Sequence, residues 1–290
     1  MKLRQLKKQL KYQQHLTAKN KKSRRWIWFL LLFLLILAAA VPIYQQRQLT
    51  APQRLFEAAV KQESLGEVDA AQQLYQQLYQ QYPQSDLAAE ALLRSGQIWQ
   101  YDRRQDQQAL LSYLQLEHDF PNHPLVRKAQ ETAAHIIKYS LRDYSRAIGF
   151  YQRLLDQPTD EADKYLYEIA DCYFRLDNYS QARIELETLL EEKPESSLLP
   201  DVLYRKGGLL LLENRLDAAR ADWQRLVDEF PDSNYSVQAR FNLAMLLEED
   251  DRLQQALKLY QQLEDYPRPS LLEEKIEHLK KRIAAKKKAI

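Results

Sequence analysis

One pattern constrains this chain more than any other: an alanine, a bulky residue four positions on, a leucine at seven and a proline at eleven or twelve, repeated six times. The alanines are Ala71, Ala109, Ala147, Ala182, Ala219 and Ala256, at spacings of 38, 38, 35, 37 and 37 residues. The bulky residues are Tyr75, Tyr113, Tyr151, Leu186, Trp223 and Tyr260, and the leucines are Leu78, Leu116, Leu154, Leu189, Leu226 and Leu263. Offsets of zero, four and seven share one face of an α-helix, so each unit contains a helix whose alanine permits close approach while its larger residues fill the groove. Pro83, Pro121, Pro158, Pro194, Pro231 and Pro267 then stop that helix, because the ring removes a donor and disfavours helical backbone before it.

A second small residue precedes each alanine by about 12 positions: Ala59, Gly96, Ala134, Ala170, Gly207 and Ala244. It marks a partner helix, joined to the first by a short polar turn such as Leu65-Gly66-Glu67 or Leu176-Asp177-Asn178. In the second and third units it arrives one residue early, which predicts a longer turn there. Val68, Tyr144, Tyr179, Leu216 and Leu253 are placed to open the second helices. With 5 glycines in 290 residues and long runs of Ala, Leu, Gln, Glu and Arg, composition also favours an all-α chain.

On these residues the chain resembles the tetratricopeptide repeat family over roughly residues 51–267. The resemblance implies a right-handed α-solenoid of six helix pairs, and a protein-binding scaffold without catalytic activity of its own. Linkers of the type YPQSDLAAEALL and FPDSNYSVQARFNL further resemble the repeats of exported bacterial envelope proteins, among them the assembly lipoprotein of the outer-membrane β-barrel machinery and the membrane-anchored ancillary subunit of the Sec translocon. No cysteine follows the apolar run closely enough for lipoprotein processing, so the second is the nearer comparison. After Pro269, Ser270 and Glu273 have capping-box spacing, and Leu272, Ile276, Leu279 and Ile283 recur at helical intervals. Residues 268–290 are therefore expected to form a capping helix with a basic tail that covers the last repeat.

Ahead of the repeats, Trp26 to Tyr44 form a run of 19 uncharged residues, which at ~1.5 Å per residue nearly spans a ~30 Å hydrocarbon core. It is read as one transmembrane helix, with residues 1–25 as a basic cytoplasmic arm and 45–50 as a short linker. The arm holds seven lysines and three arginines and no acid, leaving 32 basic and 40 acidic groups beyond it. That bias predicts a cytoplasmic N-terminus in a bacterial inner membrane, with the repeats on the periplasmic or extracytoplasmic side and the arm against anionic lipid. Cleavage of the run as a signal peptide near Ala38-Ala39-Ala40 is the competing reading. An acidic body is a poor match for nucleic acid, despite a pI near 8.4.

No phosphate loop, paired cysteines, HExxH or nucleophile elbow occurs, so no catalytic residue, cofactor, metal or small-molecule substrate is expected. Cys172 falls within an apolar helical pattern and reads as core. His118, Asp119 and His123 fall together, but as an inter-repeat loop rather than a metal cluster. The informative surface is the first helix of each pair. Relative to the small crossing residue, positions −3, +1 and +4 give Tyr167, Asp171 and Phe174, then Tyr204, Gly208 and Leu211, then Phe241, Met245 and Glu248. The protein-binding groove is accordingly placed on Tyr167, Asp171, Phe174, Tyr204, Leu211, Phe241 and Met245; packing between neighbouring helices is the alternative for its aromatics. The equivalent residues of the third repeat, Glu131, His135 and Lys138, are more polar. The chain is thus expected to be a membrane-anchored scaffold or chaperone-like adaptor for segments of other envelope proteins. The alternatives are an accessory subunit of a cell-wall or envelope assembly complex and an unrecognised enzyme.

Overall fold

The computed structural model describes residues 2–263 and 266–288, leaving aside the side chains of residues 2, 3, 14–25, 27, 37, 39, 42, 45–50 and 288. The side chains of Arg24 and Arg25, which directly precede the apolar run, therefore lie outside the described residues. Thirteen α-helices follow one another, with no strand among the described residues: α1 Lys2–Ser64, α2 Val68–Gln81, α3 Asp86–Gln97, α4 Asp106–Asp119, α5 Leu125–His135, α6 Tyr144–Leu155, α7 Ala162–Arg175, α8 Tyr179–Glu192, α9 Leu199–Leu212, α10 Leu216–Glu229, α11 Ser236–Glu249, α12 Leu253–Gln261 and α13 Pro269–Lys288. They fall into two compact units, Met1–Gln105 and Asp106–Ile290. Within the second, each helix packs on its neighbours in sequence from α4 to α13, the nearest-neighbour arrangement of a solenoid.

The six-fold pattern sets the core. All six alanines, all six bulky residues and all six leucines are buried. Fully burying a leucine contributes about 1.5–3 kcal/mol, so the repeated leucine is a principal source of stability in every unit. Five second helices open at the apolar residues expected, Val68, Tyr144, Tyr179, Leu216 and Leu253, and α4 opens at Asp106 instead. Helices α2, α8 and α10 stop at Tyr82, Lys193 and Phe230, each immediately before its proline and with φ near −130°.

The extra residue of the second and third repeats does not lengthen the turn. In all six repeats the residue five positions before the alanine is left-handed: Gly66, Arg104, Arg142, Asp177, Asn214 and Asp251, with φ between 53° and 77°. The turn is therefore the same throughout. The insertion is absorbed inside the first helix, where Ile98–Asp102 and Ile136–Ser140 form π-helical turns at the ends of α3 and α5. Gly, Asn and Asp tolerate the left-handed conformation, whereas Arg104 and Arg142 adopt it at a cost of roughly 1–2 kcal/mol.

The ends differ from expectation in two respects. Residues 45–50 are not a break: α1 continues through them, and its last turns form the first helix of the first repeat. The last helix starts at Pro269, so Ser270 lies inside it and the expected capping box is not formed. Leu272 and Leu279 are buried and Ile276 and Ile283 are half-buried against the sixth repeat, as a terminal cap requires. Among the described residues no helix is long and apolar enough to cross a membrane; residues 27, 37, 39 and 42 of the apolar run lie outside the described side chains.

Candidate functional site

The first helices of repeats four, five and six are α7, α9 and α11, and between them opens a cavity of about 290 Å³. Tyr167, Asp171 and Phe174 line it from α7, Tyr204, Arg205, Gly208, Leu211 and Leu212 from α9, Trp223 from α10 and Asn242 from α11. These side chains converge because small residues let the helices close up. Trp223 lies across the α9 backbone and donates its indole N–H to the Tyr204 carbonyl at 3.1 Å. A Cβ at Gly207 would stand 2.4 Å from the same indole nitrogen, so this crossing requires glycine. Repeats one, three, four and six carry alanine there, and their bulky residue is tyrosine or leucine.

Asp171 and Arg205 on the cavity wall belong to an ion-pair network that spans three repeats. Lys138, in the π-turn after α5, is 2% exposed; its ammonium donates to Asp171 Oδ2 at 2.8 Å and to the Glu168 carboxylate. Asp171 also accepts from Arg205 at 3.1 Å, and Arg175 lies 3.6 Å away. Arg205 reaches on to Asp201 at 3.0 Å, and the Tyr167 hydroxyl donates to the other oxygen of Asp201. The Arg205 guanidinium lies 4.9 Å from the centre of the Tyr167 ring. Three cations and three carboxylates thus neutralise one another.

Burial alone would push the Asp171 carboxyl up, but the Lys138 hydrogen bond and the charges of Lys138, Arg175 and Arg205 outweigh it and hold it below the usual carboxylate range. Burial likewise works against the Lys138 ammonium, and its bonds to Asp171 and Glu168 prevail and raise its pKa. Tyr167 is pushed well up by burial and by the Asp201 bond, so it stays a neutral donor.

Of the seven residues predicted for the groove, Tyr167, Asp171, Phe174, Tyr204 and Leu211 line this one cavity. Phe241 and Met245 do not. Phe241 is buried, stacked on Tyr266 at 4.5 Å with 9° between ring planes and edge-on to Tyr260 at 5.3 Å. Met245 is half-buried against the same cluster. The physical reason is that Tyr260 of α12 and Tyr266, just before Pro267, pack on Phe241, so the sixth repeat itself covers that position. Asp171 belongs to the wall as an ion-paired carboxylate rather than as a free contact. Sequence reading missed Arg205, Leu212, Trp223 and Asn242 as lining residues, and the buried Lys138 as the partner of Asp171.

Cys172 is fully buried and burial pushes its thiol up to about 11, so it is not a thiolate at neutral pH. His118 Nδ1 lies 2.7 Å from Asp119 Oδ1 at an exposed helix end. Among the described residues no cluster of three or more His, Cys, Asp or Glu side chains could hold a metal.

Family models described as tetratricopeptide repeat match residues 136–197 and 204–268, and a further one matches 55–85. No enzyme family is among these matches. No curated protein matches the sequence. Among solved structures, a repeat protein from Cytophaga hutchinsonii aligns with a TM-score of 0.57 at 14% identity, over 78% of this chain and 88% of that one. A chain of the Naa15/Naa10 complex bound to HypK-THB aligns with a TM-score of 0.59 at 16% identity, over 84% of this chain and 36% of that one. YrrB, described as a tetratricopeptide protein with an unusual peptide-binding site, aligns with a TM-score of 0.50 at 14% identity, over 71% of this chain and 97% of its own. At such identities the likeness is one of fold alone.

Proposed function

This chain belongs to the tetratricopeptide repeat family, and from that membership we propose that it is a membrane-anchored, non-enzymatic scaffold that captures a segment of another envelope protein between α7, α9 and α11. The observation that carries this reading is the apolar, aromatic cavity on which five separately predicted residues converge. Its margins are exposed: Phe174 is 42% and Leu212 59% accessible. Apolar side chains at the lip of a preformed cavity gain from being covered by a partner, and aromatic ones do so at low entropic cost. The structural neighbours fit this reading, since YrrB is described as having a peptide-binding site and the Naa15/Naa10 complex as bound to HypK-THB.

The test uses two residues of matched exposure. Phe174→Ala is expected to weaken partner binding about thirtyfold, the ~2 kcal/mol of a hot spot. Ile184→Ala, on the second helix α8 and 44% exposed, is expected to leave it within about twofold, as for a residue outside the interface. Equal losses in a pull-down titration would remove the cavity from the interface.

The anchor rests on α1. Around the apolar run Trp26, Trp28, Phe29, Leu31, Leu32, Phe33, Leu35 and Ile36 are all exposed, with no protein packed over them. A helix apolar on every side is stable only when something covers it, and a hydrocarbon core does so. The ten cations of residues 1–25 set the direction, with the N-terminus in the cytoplasm and the repeats outside the inner membrane. A reporter active only outside the cytoplasm, fused after Ile290, is expected to be active, and N-terminal sequencing of the mature chain should begin at residue 1 or 2. A mature chain starting near Val41 would replace the anchor by a cleaved signal. Because α1 runs unbroken from the arm into the first repeat, the repeats would begin about 10 Å beyond the end of the span.

A further inference from the structure

Two adjacent glycines stand in the interior of α9, and their physical status differs. Each costs helix stability relative to alanine, so each calls for a reason. Gly207 has one in the indole of Trp223, which leaves no room for a Cβ. Gly208 has no packing reason: a Cβ there would meet nothing within 4 Å, because the position opens into the cavity. Gly149 has similar space around it but does not line this cavity.

We propose that the missing side chain at Gly208 determines the specificity of the site, holding open a socket for one uncharged aromatic side chain, Phe, Tyr or Trp, from a protein partner. The inference rests on the scaffold reading and adds to it the identity of the anchor. Size supports a single side chain, since about 290 Å³ is at the lower limit of what a small-molecule site encloses. Chemistry supports an aromatic one. Tyr167, Tyr204, Phe174 and Trp223 all line the socket, and aromatic pairs gain more than their buried area by edge-on or offset contact.

Charge argues against ionic anchors. Asp171 already serves Lys138, Arg175 and Arg205, and Arg205 is shared between Asp171 and Asp201, so an entering ammonium or carboxylate would be desolvated without a free counter-charge. The exposed Phe174 and Leu212 at the mouth continue the apolar surface outward, which suits an anchor carried on a longer chain rather than a free molecule.

The test is a selection of phage-displayed random peptides on the full-length chain in lipid nanodiscs, with empty discs as the blank. Binding of the enriched peptides is then measured against the wild type, Gly208→Ala and Gly208→Leu. The expected result is a shared aromatic position whose replacement by alanine weakens binding at least thirtyfold. Gly208→Leu should cause a comparable loss and Gly208→Ala a smaller one, while neither lowers Tm, because both replace a helical glycine facing open space. Peptides that bind Gly208→Leu as well as the wild type would overturn the socket and leave the scaffold reading standing. Enriched peptides anchored by aliphatic or charged residues would overturn its aromatic specificity. No enrichment over empty discs would count against the scaffold reading and the socket together.

Discussion

Leu189→Ala is expected to destabilise the solenoid by about 2–5 kcal/mol, because the large-to-small change removes apolar atoms and leaves a cavity that its neighbours fill only in part. Leu189 is fully buried in α8 and belongs to the cluster of Leu166, Ala170, Leu186, Leu199 and Val202, so it joins the fourth repeat to the first helix of the fifth. It is one of six leucines in the same register, and the substitution tests that register directly. The matched control is Lys287→Ala, an exposed position near the end of α13, which should change stability by less than about 0.5 kcal/mol. Repeat arrays lose structure in segments, so urea unfolding is best paired with hydrogen exchange resolved along the chain. Protection is expected to fall first in α7–α9. Similar effects of both substitutions would mean that the helical register is wrong.

Lys138→Met should cost about 3 kcal/mol although it removes a single charge, because breaking a buried ion pair leaves carboxylates without their counter-ion. The lower end of the usual range applies here, since Asp171 keeps Arg175 and Arg205 and Glu168 is about a quarter exposed. The same cluster gives stability a signed pH dependence. The folded pKa of Asp171 is depressed, so its contribution is complete above the ordinary aspartate value of 3.8 and disappears as pH falls through the lower folded value. The folded pKa of Lys138 is raised, so its contribution is complete below 10.5 and disappears as pH rises through the higher folded value. Between those limits the difference between wild type and Lys138→Met should be flat, and it should shrink below about pH 3.8 as Asp171 takes up its proton. A constant difference from pH 2 to pH 7 would show that the lysine contributes by packing alone.

Much of this was legible in the amino-acid order, for a definite reason. The alanine, bulky residue, leucine and proline of each unit act within one helix, so their spacing reports the buried face and the helix end directly, and all eighteen face positions are buried. The added residue in the second and third repeats was visible as an early Gly96 and Ala134, but not its location. A π-turn has no residue signature, and the left-handed position that fixes the turn is filled twice by arginine, a residue that does not announce it. The groove was half-legible. Helical offsets brought Tyr167, Phe174, Tyr204 and Leu211 to one face, whereas the Lys138–Asp171–Arg205 network depends on contacts 33 and 34 residues apart, for which no local pattern exists. Phe241 shares the same helical offset, but the offset does not report that Tyr260 and Tyr266 of the same repeat pack against it.

Whether partners are held at the α7–α9–α11 cavity is tested most directly by site-specific photocrosslinking of the full chain in its native membrane. A photoreactive amino acid replaces either Leu212, at the mouth of the cavity, or Leu111, on the second helix α4; both are 59% exposed. A discrete crosslinked protein is expected from position 212, lost when Gly208→Leu is added, and none from position 111. The same adduct from both positions, or an adduct from position 111 alone, would contradict binding at the cavity.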